Sequence, residues 1–499
     1  MQATKEFLQQ QEQLYARRAQ EIRNTPDTVC VSGTTYYVSA EGNDDLDGKT
    51  PETAWKSLER VSGTWLLPGD AVRFRRGDVF RGSVKCRGGV TYCAYGSGPK
   101  PVFCGWDENL ARPDVWEAVD EEHHIWKYTK PIVDAGTLVF DDGAFHSRKL
   151  IPSYKNLQFV CREDETRVFR MEQEMTQDLD LFWEFEQWLT RKPTRGENFP
   201  IPIAGNNCFG TLYLRCDRGN PGALFRSIES VARRTAFEVP RGHRNVTVDN
   251  LCIKYYNFGV HALGLGEPAV GLHVTNCEIG WIGGTIQHYD GTDPNYLKGG
   301  RGTVTRYGNG IEIYGGCEDF LVDNCYIYQS YDAGATHQVG TDRTITMLDV
   351  RYTNNLIEDC VYGIEYFIDE PNGETGSYMD RIEMSGNILR TGGYGWGQQR
   401  HNVDTPALIK GWSHANPARR FTIHHNVFDR CAYRMIHLGA RKEEYCPELH
   451  DNVYIQHKGG ALGVYGSTEH GAPAELVCDE QTVAKVLCDR DASVYVIEE

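Results

Sequence analysis

Residues 245–264 read NVTVDNLCIKYYNFGVHALG, and the same grammar returns in 271–283 (GLHVTNCEIGWIG), 310–338 (GIEIYGGCEDFLVDNCYIYQSYDAGATHQ), 349–368 (DVRYTNNLIEDCVYGIEYFI), 381–393 (RIEMSGNILRTGG), 420–439 (RFTIHHNVFDRCAYRMIHLG) and 447–466 (PELHDNVYIQHKGGALGVYG). Each unit carries a short strand, an Asn or Cys at a turn, an apolar pair, a loop and a second strand that in most units is led by Gly. Cys277, Cys325, Asn355, Asn387, Asn426 and Asn452 occupy one equivalent position, at successive spacings of 48, 30, 32, 39 and 26 residues. Solenoid repeats run to ~20–30 residues, so the longer intervals mark coils with inserted loops. An Asn recurring at one turn lets side-chain amides hydrogen-bond from coil to coil, as in stacked cross-β ladders.

These features predict an all-β chain wound as a right-handed parallel β-helix. A β-propeller fits less well, because four-strand units of ~40–50 residues with their own signature are missing. The composition agrees with many strands and turns: 52 Gly, 27 Tyr and 10 Trp in 499 residues. A solenoid of this length is feasible because each coil buries its core only against its neighbours.

Outward from the repeat, the reading divides the chain into five segments. Residues 1–34 carry a polar helix over 5–22, suited to a surface or a dimer contact, and 35–105 are opening coils. Residues 106–235 lose the repeat and read as an inserted small β-rich domain, in which Trp183 and Trp188 sit in a helix-like run as core residues. The main solenoid covers 236–467, and 468–499 caps its last coil, where bare strand edges would invite pairing with another chain.

The opening segment 36–58, YYVSAEGNDDLDGKTPETAWKSL, followed by PGDAVRFRRGD at 68–78, resembles the start of bacterial right-handed β-helix proteins of the pectin-lyase-like group that act on polysaccharides. The coils GNGIEIYGG, NCYIYQSYDAGATHQ and NNLIEDCVYGIEYF are similar to β-helix proteins of gut bacteria. The resemblance implies a carbohydrate-active enzyme of glycoside hydrolase type. It transfers no catalytic residue, because this scaffold serves hydrolases, lyases, epimerases and tail fibres.

With 52 basic and 69 acidic side chains the formal charge is −17, which repels nucleic acid and anionic membrane surfaces. The first 24 residues hold no apolar core of signal-peptide length, and the expected location is cytoplasmic. The 16 cysteines show no C-x-x-C pair and read as reduced, with Cys277 and Cys325 stacked inside a coil. No cofactor or metal is expected. The expected partner is an oligosaccharide, with a homo-oligomer open.

Strand alternation places the chemistry. In 259–261, 310–312, 334–336, 363–365 and 435–437 the middle residue points inward and His261, Glu312, Thr336, Glu365 and His437 point outward, one coil above another at ~4.8 Å. Lys410 joins the same column. Asp332 and His337 lie beside it, His337 in a phase that can turn it inward. The loops 281–309 and 391–420 bring Trp281, Arg301, Arg306, Trp396, Arg400, His401 and Trp412 toward these coils.

Aromatic faces, charged donors and central carboxylates suit a sugar site: rings stack on C–H faces, and glycosidic cleavage requires a proton donor and a second carboxylate. Asp332 and Glu365 are read as the catalytic pair, with Glu312 assisting. The remaining residues, His261, His337, Trp281, Arg301, Arg306, Trp396, Arg400, His401, Lys410, Trp412 and His437, are read as substrate-binding. Glu312 and Glu365 stand two coils apart, ~9.6 Å at the backbone, which favours an inverting displacement. Asp332, on the intermediate coil, keeps retention open. Two alternatives stand beside the hydrolase: a lyase or epimerase acting on uronic acids through Lys410, Arg301, Arg306 or Arg400, and a carbohydrate-binding solenoid without catalysis.

Overall fold

A computed structural model describes residues 1–29, 31–155, 158–164, 166–184, 199–200, 209–290, 303–370, 375–400, 406–411, 417–479 and 488–498. The chain winds as a parallel β-helix whose coils present three strand faces. Face A runs from Thr35–Val38, Ala71–Arg75 and Thr91–Tyr95 through Thr346–Thr353 and Tyr378–Ser385 to Ala418–His424 and Glu448–His450. Face B includes Glu278–Ile282, Tyr326–Ser330, Leu356–Glu358, Ile388–Gly392, Val427–Cys431 and Val453–His457. Face C stacks 237–239, 260–264, 311–314, Ala333–Gly340, Tyr362–Asp369, Ala407–Gly411, Arg434–Ala440 and Ala461–Ser467 in parallel register.

Inward residues of all three faces form one continuous core, in which Val260, Ile311, Ala335, Ile364, Ile409 and Ile436 stack along face C. The turn between faces A and B explains the sequence repeat. One residue takes a left-handed conformation, such as Asn354 (φ 55°), and the next side chain enters the coil. Asn355 Nδ2 donates to Asn387 Oδ1 at 2.9 Å, Asn387 Nδ2 to Asn426 Oδ1 at 2.9 Å and Asn426 Nδ2 to Asn452 Oδ1 at 3.0 Å. The same amides reach backbone carbonyls, so each buried polar turn is satisfied by the coil beside it. Cys325 holds the equivalent place, its backbone N–H donating to Asn355 Oδ1. The described cysteines are free thiols, most of them buried.

The second repeated feature, the Gly at 259, 310, 334 and 363 that leads four successive strands of face C, marks corners too tight for a side chain. A Cβ on Gly310 would lie 2.3 Å from the carbonyl oxygen of Gly334, and one on Gly363 would lie 2.4 Å from that of Leu408.

Between opening and main coils stands a separate antiparallel sheet containing Trp116–Asp120, Ile125–Tyr128, Asp180–Glu184 and Phe209–Arg215, with its own apolar core. Trp183 is buried there, but in a strand rather than the helix-like run expected, with its indole N–H on the carbonyl of Ile132. Trp188 lies outside the described residues. The strands Ala135–Phe140 and Ile228–Val239 pair antiparallel and tie this sheet to the solenoid.

The N-terminal helix, Lys5–Arg23, docks on its own chain along face B. Phe7 stacks on Tyr495 at 4.3 Å, Glu12 pairs with Arg390 and Arg430, Arg18 reaches Asn354, and Arg23 pairs with Glu278. At ~1.5 Å per helical residue against ~4.8 Å per coil, one helix spans several coils. Residues Asp489–Arg490 and Ser493–Ile497 add strands to faces A and B, and Ala3 N–H bonds to the Val496 carbonyl at that edge. Among the described residues no helix is long and apolar enough to cross a membrane.

Candidate active site

On face C the pairing register runs Glu238, His261, Glu312, Thr336, Glu365, Lys410, His437. The column read from alternation is therefore present and extends further toward the first coils, through Glu238 to Lys85. Two residues further along each strand, Leu263, Tyr314, Gln338 and Phe367 form a parallel column with the same outward phase. Both columns floor a cleft of about 650 Å³, within the range of small-ligand sites. Phe258, Tyr307 and Tyr362 add aromatic walls, and Asp332 and Arg400 close the side at the B-to-C corner.

Asp332 is aimed by the corner that carries it. Ser330 Oγ donates to the Ala333 carbonyl at 2.9 Å, and Ala333 N–H donates to Asn309 Oδ1 at 2.8 Å, fixing the bend on either side. The carboxylate accepts the Arg400 guanidinium and the Gly308 backbone N–H. Gly308 has φ 149°, and a Cβ there would stand 2.3 Å from the Asn257 carbonyl oxygen, so the close approach needs glycine. Burial pushes the Asp332 carboxyl above its ordinary range, against the pull of Arg400. Burial is the largest single effect on Arg400 and works against its charge, but Asp332 together with Tyr362 and Tyr331 outweighs it and raises the guanidinium further.

Glu312 is 4% exposed. Desolvation lifts its carboxyl to about 7, against hydrogen bonds from Gln338 and Asn309 and with some help from the Asp332 charge. Gln338 Nε2 donates to Glu312 Oε1 at 2.7 Å. Glu312 is thus a buried acid poised to hold a proton near neutrality, which the backbone pattern alone could not reveal. Desolvation lowers His261 to about 4, so its ring is neutral at pH 7. Its Nε2 lies 3.8 Å from Glu312 Oε2, beyond hydrogen-bond range. Glu365, 4% exposed, lines the cleft two coils from Glu312. Between the two glutamates the buried Thr336 hydroxyl has no hydrogen-bond partner among the described residues.

Lys410 and His437 continue the column past the cleft lining. Lys410 Nζ lies 3.0 Å from His437 Nδ1 and 5.5 Å from the centre of the Tyr362 ring. Burial first, then the Lys410 and Arg434 charges, lower His437 to about 4.

Four expected contacts are placed elsewhere. His337 points into the coil, fully buried, with Nδ1 2.9 Å from Tyr352 Oη and its ring stacked on Tyr352 and Tyr366. It follows Thr336, and strict alternation turns it inward. Trp281 and Trp396 belong to a small apolar cluster between face B and the strands Ala135–Phe140 and Ile228–Val239, which contribute Val139 and Val231, with Tyr331 5.0 Å from Trp396. Trp396 Nε1 donates to the Gln329 carbonyl at 2.8 Å, a core indole satisfied by backbone. Arg306 is buried with them, donating to the carbonyls of Gly284 and Gly136 and lying 4.5 Å from the centre of the Tyr331 ring. Arg301, His401 and Trp412 lie outside the described residues.

The residues missed were Glu238, Phe258, Tyr307, Tyr314, Gln338, Tyr362 and Phe367. Leu263, Tyr314, Gln338 and Phe367 follow His261, Glu312, Thr336 and Glu365 by two positions, so the period-2 rule that found the first column contained the second. Tyr307 carried no such signal. It ends a hairpin strand, Thr303–Tyr307, outside the repeat.

No protein-family model matches the chain. A stretch of 116 residues is 35% identical to a lacto-N-biosidase of Bifidobacterium longum, covering 21% of this chain and 7% of that protein's length. Among solved structures, a lacto-N-biosidase from Eubacterium ramulus aligns over 99% of this chain and 71% of its own, at 13% identity and a TM-score of 0.38. A structure described as a glycoside hydrolase aligns over 93% and 96%, at 10% identity and a TM-score of 0.41. At such values the fold rests on the strand pairing of this chain and the chemistry on its cleft.

Proposed function

We propose that the chain is a glycoside hydrolase that cleaves a short oligosaccharide by two-carboxylate chemistry on face C. The observation that carries this reading is the convergence of Glu312, Asp332 and Glu365 in one aromatic-lined cleft, with burial holding Glu312 at about 7 while Arg400 clamps Asp332. Hydrolysis needs one carboxyl that carries a proton at working pH and another that is ionised, and environments that push paired carboxyls apart supply both. Glu312 is the proton donor in this scheme, and Asp332 and Glu365 are the candidates for the second role.

Spacing separates the two outcomes. Glu365 stands two coils from Glu312, ~9.6 Å at the backbone, a span that accommodates a water and an inverting displacement. The orphan Thr336 hydroxyl between them is a ready partner for that water. Asp332 as nucleophile would instead give retention through a glycosyl-enzyme intermediate. Phe258, Tyr307, Tyr314 and Tyr362 offer ring faces to the sugar, with Gln338 and Arg400 for its hydroxyls.

The test follows the anomeric proton by NMR during incubation of neutral and uronic oligosaccharides with the wild type, Glu312→Gln, Asp332→Asn and Glu365→Gln. Loss of turnover in Glu312→Gln, with recovery on an aryl glycoside whose leaving group needs no proton, is the expected result. Initial release of the inverted anomer assigns Glu365, and of the retained anomer Asp332. Formation of a 4,5-unsaturated product would overturn the hydrolase and turn attention to Lys410 and Arg400. Binding without turnover would leave a carbohydrate-binding solenoid.

A further inference from the structure

Away from the cleft, at the corner where face A turns toward face B, three histidines converge. His424 and His450 are register neighbours on successive coils, their rings stacked 4.6 Å apart at 4°, and His425 is the turn residue after His424. One ring nitrogen from each lies within 4.8 Å of the others, and His424 Nδ1 is 2.9 Å from His425 Nδ1. Nitrogens sharing a tetrahedral zinc at 2.0–2.1 Å stand ~3.4 Å apart, so small rotamer changes bring these three to a common ion. It is the group among the described residues with this geometry.

The solenoid supplies its own control for why a histidine stands there. Equivalent turn positions are held by Asn250, Asn276, Asn324, Asn354, Gly386, Asp451 and Asp491, all with φ between 52° and 67°. Asn, Asp and Gly tolerate this left-handed conformation best. His425 adopts φ 55° in the same place. Its side chain is 62% exposed, so core packing does not account for it.

Carboxylates orient the outer rings as second-shell groups do in metal sites. His450 Nδ1 lies 2.7 Å from Asp451 Oδ2, which leaves Nε2 for an ion, and His424 Nε2 lies 3.5 Å from Glu383 Oε1, which leaves Nδ1. Asp451 Oδ2 is also 3.9 Å from His425 Nε2.

We propose that His424, His425 and His450 form a site for a zinc-class divalent cation, with water in the fourth position. The ion would pin two consecutive coils near the C-terminal end of the solenoid. Imidazole donors select zinc, nickel and copper over magnesium or calcium, which take oxygen ligands.

The test uses the full chain without an affinity tag. Zn2+ is titrated by calorimetry, and Co2+ is followed by visible absorption. The wild type is expected to bind one ion per chain, to show the d–d bands of nitrogen-ligated Co2+ and to gain melting temperature with Zn2+. His425→Asn installs the residue that the neighbouring turns use, so folding is preserved; it and His450→Gln are expected to weaken binding at least ~10-fold. Sugar hydrolysis by both variants should equal that of the wild type. No saturable Zn2+ binding by the wild type up to about 1 mM, or equal affinity in His425→Asn, would overturn the site.

Discussion

Faces A and C are built by the same rule and treat their charges in opposite ways. On face A, Asp349 meets Arg381 through two contacts of 2.5 Å, and Arg420 pairs with Asp380, in a charge ladder whose arginines are 41% and 67% exposed and cover Asp380 between them. Those hydrogen bonds hold Asp349 and Asp380 below the usual carboxyl range. On face C, Glu312 and Glu365 occupy outward positions too, with Asp332 at the adjoining corner, yet all three are buried. The outward side of a β-helix strand is neutral ground. Charges left in water pair and stabilise little, whereas charges covered by neighbouring loops and aromatic side chains lose solvation and become chemically distinct.

The largest expected departure between the faces is catalytic. Glu312→Gln should lower kcat by at least ~10²-fold, the usual contribution of a positioned acid. In the wild type kcat should fall as pH rises past about 7, where the Glu312 proton is lost. Steady-state pH profiles would show whether that limb vanishes in the residual activity of the variant.

Next comes the clamp. Arg400→Met leaves Asp332 buried without its guanidinium, a loss of about 3–5 kcal/mol for a buried pair broken on one side. Urea unfolding measures it, and Arg400→Met/Asp332→Asn should recover part of the loss. If Arg400→Met alone were neutral, the two faces would not differ in kind.

A smaller effect appears in stability against pH. Folded Glu312 holds its proton up to about 7, whereas its ordinary value is 4.5. Between those values the unfolded chain has released the proton and the folded chain has not, so stability falls as pH rises through that window. Glu312→Gln removes this slope, and its stability relative to wild type should improve from pH 4.5 to 7 in thermal melts.

The smallest change belongs to face A. Arg381→Ala should shift Tm by less than ~2 °C, as for other exposed pairs. Differential scanning at low salt and at about 0.5 M salt checks it, since screening should shrink even that.

The comparison also explains what could be read without a structure. Asn355, Asn387, Asn426 and Asn452 announced the ladder because each coil must satisfy its own turn polar groups from its neighbour, a need that recurs in the text as often as in space. The Gly-led strands gave the register of His261, Glu312, Thr336 and Glu365 for the same reason: a corner that admits no Cβ leaves one residue type. Trp281, Trp396 and Arg306 could not be placed this way. They sit where face B meets the strands Ala135–Phe140 and Ile228–Val239, and no local period encodes which segment meets which surface. Tyr307 entered the cleft unannounced on the hairpin strand Thr303–Tyr307.

The sequence by itself determined the parallel β-helix, its coil boundaries and the outward column of face C, because period-2 alternation, turn chemistry and stacked amides are short-range constraints written into every repeat. Only the tertiary structure decided that face C rather than face A is the covered one, and that Glu312 is held near neutrality. Those outcomes depend on desolvation, and desolvation is set by segments distant in sequence that lie over the column once the chain has wound.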